Sequence, residues 1–316
     1  MPIGVLSLAI EPKTAADQEK LAAGLGQLLA DDPALRVTPG RTTIIWAASE
    51  LHLEVVVDRL KREFGVEAAV GRPRVAYKET VTRDAEGQGR YIAQTGARGQ
   101  YGHVKIRVRP RTPGTGCAFV HAIVNGVIPS RFIASIDEGL REAMTAGVLA
   151  GYPVDDVEVG VYDGSYHDVD SNDASFRIAA AMAFRDAMTK AAPILLEPVM
   201  QVDVVTPEEY LGDILGDLNR RRGVIQSIQP HDHGNVRTVS VRMPVAEMFG
   251  YQTDLRARAR GRAYFTSRFD SYEPCSTDLD SGNDDDRVSP VRAPRSPSPD
   301  VNGASISLPE PTDDVD

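Results

Sequence analysis

VLSLAIEPKTAADQEKLAAGLGQLLADDPALRVTPGRTTIIWAASELHLEVVVDRLKREFGVEAAV, residues 5–70, is the stretch whose pattern decides the fold. Residues 5–10 are apolar and short enough for a strand. Residues 14–30 carry helical periodicity, begun by Lys13-Thr14 and stopped near Pro33. Two further strands, 35–38 and 42–46, flank Pro39-Gly40. Residues 50–64 then place Leu53, Val56, Val57 and Leu60 on one helical face, ended by Gly65, and residues 66–70 close with a strand. The order strand, helix, strand, strand, helix, strand is that of a split βαβ, ferredoxin-like sandwich.

The same order returns at residues 200–269 without evident sequence identity. Strand 200–205 runs into Thr206-Pro207-Glu208-Glu209, which reads as a capping box with proline at the first helical position, and the helix ends at Gly223. Strands 224–228 and 236–243 flank a turn at Gly234-Asn235. A helix from Val245 and a strand at 263–269 complete the unit.

Between the repeats, strands are expected at 75–82, 90–94, 104–109 and 154–162, with helices at 132–146 and 173–191. Ile133, Ile136, Leu140 and Met144 form one apolar stripe; Phe176, Ala180, Phe184 and Met188 form another. Sheet packed on helices follows. The expected fold class is α+β: two ferredoxin-like split βαβ sandwiches flanking a central α+β arm domain, with a disordered C-terminal tail. The expected boundaries are 1–73, 74–196, 197–273 and 274–316.

The tail is defined by composition. Of the chain's net charge of −10, residues 275–316 carry −7, with ten acidic residues against three Arg. Large apolar residues are so scarce there that burial cannot offset the entropy of ordering. A self-repelling spacer is the simpler reading, and an acidic interaction tail or phosphorylation target the sharper one. The remaining −3 is spread over a body with 32 Lys or Arg, so basic patches and a nucleic-acid partner are compatible with an acidic chain. Two cysteines, Cys117 and Cys275, without ligand spacing fit a reducing compartment. No apolar run approaches the length of a membrane span, so a cytoplasmic location is expected and neither membrane nor DNA as a partner.

Two polar segments stand out in the middle block: Gly96-Ala97-Arg98-Gly99-Gln100-Tyr101-Gly102-His103 and Ser165-Tyr166-His167-Asp168-Val169-Asp170-Ser171-Asn172. Both read as exposed loops, the first with glycines for close backbone approach, the second ending where a helix needs a cap. Neither contains a defensible nucleophile and base, so no catalytic residue is assigned. Together they read as a contact tip. For Asp170, Ser171 and Asn172 helix capping is the favoured reading; for Gly99 and Gly102 a tight hairpin is an alternative compatible with contact. His52, beside an apolar helix face, reads as a satisfied core group. His231-Asp232-His233 has no third ligand in sight, and no metal is expected.

These segments carry a resemblance. Ala9-Ile10-Glu11-Pro12-Lys13, Glu50-Leu51-His52-Leu53-Glu54, Arg98-Gly99-Gln100-Tyr101-Gly102-His103, Gly164-Ser165-Tyr166-His167-Asp168-Val169-Asp170-Ser171, Glu208-Glu209-Tyr210-Leu211-Gly212-Asp213 and Glu247-Met248-Phe249-Gly250-Tyr251 occur in the order found in bacterial elongation factor G. The chain resembles the C-terminal half of that family, its third, fourth and fifth domains, without the GTPase and barrel domains.

The resemblance implies a ribosome-binding role in tRNA–mRNA translocation, with the fourth domain's tip in the decoding A site. Arg98, Gln100, Tyr101 and His103 would stand in the first tip segment, and His167, Asp168 and Asp170 in the second. The implied partners are rRNA, A-site tRNA and mRNA, with a separate GTPase chain as a further candidate. His167 suits a phosphate or 2′-OH, and Gln100 the minor groove of a short RNA helix.

The sequence departs from the family at Ala47-Ala48-Ser49, where Gly-Met-Gly is usual, and at a short loop over 37–41. It also departs in the last helix, where Arg256, Arg258, Arg260 and Arg262 read either as a solvated surface or as an rRNA-phosphate patch. The sequence holds no Gly-x-x-x-x-Gly-Lys-Ser/Thr loop and no Asn-Lys-x-Asp segment. No cofactor is therefore expected; GTP and magnesium would enter only through a missing or separate GTPase domain. Three readings stay open: a translocation factor without its own GTP hydrolysis, a truncated or split translocase half, and an RNA-binding protein unrelated to translocation.

Overall fold

The computed structural model describes residues 4–40, 42–95, 98–123, 127–231 and 234–275. Residues 276–316 of the expected disordered tail, Gly96-Ala97, Asp232-His233 and Arg41 lie outside them, while Pro274, expected in the tail, is paired with Leu196.

In the first block, β1 (Leu6–Pro12), α1 (Ala15–Asp31), β2 (Arg36–Thr38), β3 (Thr43–Ala47), α2 (Glu50–Arg62) and β4 (Ala68–Val70) follow the expected order. The antiparallel sheet runs β2-β3-β1-β4, and β5 (Arg74–Val75) also pairs with β1. Thr14 caps α1 by accepting from the Asp17 N–H at 3.1 Å. Ser49, in the segment that departs from the family pattern, caps α2 by accepting from the His52 N–H at 3.2 Å. His52 itself meets Asp32 at 2.7 Å.

The middle block contains β6 (Lys78–Val81), β7 (Ala85–Thr95), β8 (Arg98–Pro110), β9 (Ala118–His121), α3 (Ile133–Ala146), β10 (Val157–Ser165) and α4 (Asp173–Lys190). Its sheet runs β7-β8-β10-β9; β9 is parallel to β10 and the other pairs are antiparallel. The buried residues of α4, Phe176, Ala179, Ala180, Ala183, Phe184, Ala187 and Met188, face the sheet and α3. Phe176 stacks on Phe132 with ring centroids 4.6 Å apart.

Four expectations change here. The strand expected over 75–82 divides into β5, which pairs with β1, and β6, which pairs with the first strand of the last block. The segment 98–103 is not a loop but the start of β8, paired residue for residue with β7. Strand β9 is an addition to the expected set. The expected strand over 154–162 begins at Val157 instead, because Asp156 has φ of 55° and turns its carboxylate to the N–H groups of Gly114 and Gly116 at 2.9 and 2.8 Å.

The last block comprises β11 (Pro193–Pro207), α5 (Leu211–Arg220), β12 (Val224–Pro230), β13 (Val236–Pro244), α6 (Tyr251–Arg258) and β14 (Tyr264–Pro274). Its sheet order, β12-β13-β11-β14, reproduces the first block's permutation, with β6 added to β11. The expected capping box does not form. Thr206 and Pro207 are still paired with β13, the Thr206 hydroxyl turns to the Pro207 carbonyl at 3.3 Å, and a 3₁₀ turn at Glu208–Tyr210 precedes α5. Val245 likewise opens a 3₁₀ turn, and α6 starts only after Gly250, at φ of 67°.

The two sandwiches share one apolar core that joins Leu6, Ile45 and Leu53 to Met200, Val241 and Leu255, so they form a single body from which the middle block extends. The Gly250 N–H donates to Glu50 across this junction at 3.0 Å. Among the described residues, no helix is long and apolar enough to cross a membrane.

Candidate nucleic-acid interface

The two polar segments meet at the far end of the middle block. Strand alternation puts Tyr101 and His103 on one face of β8 and Gln100 on the other. Tyr101 Oη lies 2.7 Å and His103 Nδ1 3.0 Å from Ser165 Oγ, at the end of β10. The Arg90 guanidinium sits 5.8 Å from the centroid of the Tyr101 ring, close enough for a weak cation–π contact. Burial, followed by the nearby charges of Lys105 and Arg90, holds the His103 imidazole below its usual pKa. Lys105 pairs with Asp163 at 2.7 Å.

The second segment is clamped to the first. The Tyr101 N–H donates to the Asp170 carbonyl at 2.9 Å. The Ser171 hydroxyl donates to the Tyr101 carbonyl at 2.9 Å and accepts from the His167 N–H at 2.8 Å. A Cβ on Gly99 would lie 2.7 Å from the Asp170 carboxyl carbon, so the glycine makes room for that side chain. Asp170 in turn sits 3.1 Å from His167 Nδ1. The helix cap is Asn172, which accepts from the Ser175 N–H at 2.9 Å. Of the three residues read as caps, Asn172 alone has that role, while Ser171 and Asp170 lock the tip.

The proposed contact residues therefore separate. Tyr101 and His103 form a half-buried pair with Ser165, and Gln100 stands on the opposite strand face. Arg98 opens β8, and its side chain lies outside the described residues. His167 and Asp168 are exposed, whereas Asp170 is turned inward. Sequence reasoning missed Tyr166 and Val169, which stand 41% and 82% exposed at the end of the tip. An apolar residue inside an otherwise polar segment was the signal available for Val169. Arg90, Ser165 and Ser171 also went unassigned as organising residues.

The arginine series does not form one surface. Helix α6 ends at Arg258, leaving Arg260, with φ of 49°, and Arg262 beyond it. Arg258 pairs with buried Asp217 at 3.1 Å, and Arg262 with Glu209 at 2.8 Å and with the Tyr210 hydroxyl. Arg256 and Arg260 are exposed. His231 lies 3.1 Å from Thr238, and among the described residues no group of three or more His, Cys, Asp or Glu could hold a metal ion.

A body of two ferredoxin-like sandwiches with a polar tip on a projecting α+β domain is the architecture these blocks define. Comparison with known proteins specifies it. Residues 1–72 match the family described as elongation factor G domain III, residues 73–192 match elongation factor G domain IV, and residues 194–281 match the elongation factor G C-terminus. A crystal structure of a protein from Thermus thermophilus is similar to this chain at 39% identity and a TM-score of 0.66, covering 87% of this chain. The match spans 41% of the length of the Thermus protein. The chain belongs to the elongation factor G family, and its domains are those of a translation elongation factor.

Proposed function

We propose that this chain binds the ribosome in the manner of a translocation factor, placing the arm tip in the decoding A site against tRNA and mRNA, without hydrolysing GTP itself. The observation that carries the reading is the clamp between the two tip segments. Ser171 and Asp170 hold the His167–Asp168–Val169 turn against β8, so the exposed groups are ordered before any partner arrives. His167 supplies a donor for phosphate or 2′-OH, and Val169 an apolar contact for a sugar or base face. Family membership supports the ribosome as the partner.

The absence of a phosphate-binding loop in this sequence supports the second half of the proposal.

Co-sedimentation with ribosomes in moderate salt tests the binding. His167→Ala combined with Val169→Asp should weaken it by about tenfold, the scale of one or two lost nucleic-acid contacts, while leaving the melting temperature unchanged. No sedimentation of the unaltered chain would refute autonomous binding, and GTP turnover above background by the purified chain would refute the second half.

A further inference from the structure

Glu79 is fully buried on β6, and its carboxylate is filled by the backbone of five consecutive arm residues. Oε2 accepts from the N–H groups of Val148 and Leu149 at 2.6 and 2.9 Å. Oε1 accepts from Ala150, Gly151 and Tyr152 at 2.7, 2.9 and 3.1 Å. Such a ring of N–H dipoles suits a carboxylate as it suits a bound anion. The loop that supplies it follows α3 of the arm, whereas β6, whose Val81 packs in the arm core, is joined by pairing to the body's second sheet.

The location gives the contact its consequence. The chain enters the arm along β6 and returns along β11, where Lys78, Glu79, Thr80 and Val81 pair with Leu196, Leu195, Ile194 and Pro193. A two-stranded ribbon is by itself a weak support against bending and twisting. The 147–156 loop is the third support. The Glu79 N–H donates to the Pro153 carbonyl at 2.9 Å and its carbonyl accepts from the Asp155 N–H at 2.8 Å. Tyr152 packs beside Tyr77 with centroids 5.3 Å apart. Lys78 pairs with Asp155 and lies 4.2 Å from the centroid of the Tyr272 ring on β14.

We propose that Glu79 is the positioning residue that fixes the direction of the arm relative to the body. Strand β8, 13 residues from neck to tip, spans ~40 Å, so a rotation of about 10° at the neck displaces the tip by about 7 Å. Glu79→Gln is nearly isosteric but offers one acceptor oxygen, and its amide nitrogen faces backbone N–H groups donor to donor. Glu79→Asp keeps two acceptor oxygens on a shorter stem.

The test is the distance between spin labels at Val169 on the tip and Asn219 on α5, in a Cys117→Ser, Cys275→Ser background, by pulsed electron paramagnetic resonance on the free protein. Its outcome is thus independent of ribosome binding. Glu79→Gln should broaden the distribution about twofold or more, on the lever length above, and Glu79→Asp should recover part of the narrow distribution. A lowered melting temperature with an unchanged distance distribution would make Glu79 a purely stabilising residue and overturn the proposal.

If Glu79→Gln does not fold, amide exchange in the unaltered chain decides. Residues 148–152 should exchange about a hundredfold or more slowly than free peptide, as charge-assisted bonds require. Exchange at free-peptide rates would overturn the assignment.

Discussion

Replacing Gly102 by alanine is the sharpest probe of the contact between β8 and α4. A Cβ at this position would lie 2.6 Å from the Ser175 carbonyl oxygen, 2.8 Å from its carbon and 3.1 Å from the Phe176 nitrogen. All three are backbone atoms of the first turn of α4, so no side-chain rotation relieves the clash. The turn cannot easily retreat either, since Asn172 caps it and Phe176, fully buried, stacks on Phe132. Overpacking a rigid contact costs about 2 kcal/mol. That cost corresponds to an increase of about thirtyfold in local opening. The sole tryptophan, Trp46, lies in the first block and does not report on the arm, so the assay is amide exchange followed by mass spectrometry on peptides covering β8 and the start of α4. Faster exchange there, with the β1 and β11 peptides unchanged, is the expected result. Exchange within twofold of the unaltered chain would show that α4 adjusts freely, and would refute the claim that Gly102 sets the approach of helix to sheet.

Removing the Asn172 cap as Asn172→Ala should destabilise the arm by ~1 kcal/mol, read as earlier exchange of the first α4 turn. His103 titrates below its usual value, so its contribution to stability is fully present above about pH 6.5 and is lost as pH falls through the lowered folded value. An NMR titration of the imidazole should give a midpoint under that of free histidine, and His103→Gln should flatten the loss of arm stability on acidification. Asp217 is buried and takes Arg220, Arg221 and Arg258 at 3.0 to 3.1 Å; Asp217→Asn should cost about 3–5 kcal/mol by leaving those cations poorly matched, seen as a large drop in the denaturant midpoint of the body.

The sandwiches were legible because their signals are local: alternating or helical apolar spacing, a threonine at the first helix start, glycine and proline stops. The misses share a non-local cause. β9 is four residues long and only half-buried, and it is a strand because β10, nearly forty residues on, lies beside it. Gly99 and Gly102 suggested a turn in sequence, whereas in the fold they are extended residues that admit Asp170 and α4. Thr206 has the chemistry of a cap, yet pairing with Arg237 carries β11 past it. Nothing in Lys78-Glu79-Thr80 marks the glutamate as buried, and only the fold brings the five N–H groups to it. At the tip, residue types pointed to contact chemistry, while the division into exposed groups and locking groups required the register of β8 against the loop.

That division bears on how such a tip can act. Asp170, Ser171 and Tyr101 direct their hydrogen bonds to one another, to His167 and to Ser165, so they are poorly placed to contact a partner directly, and substituting them would loosen the exposed turn instead of deleting a contact. His167, with one ring nitrogen at Asp170, has the other free to face outward, and Val169 next to it is the most exposed large apolar residue among those described. Direct affinity should therefore concentrate on a short turn, while the residues behind it set how much conformational entropy is lost on binding. The arginines after α6 invert the arrangement: Arg258 and Arg262 serve the fold through Asp217 and Glu209, leaving Arg256 and Arg260 outward. Two scattered cations give a weaker salt dependence than four aligned ones, so the tip, and not this segment, is where loss of a side chain should be felt most.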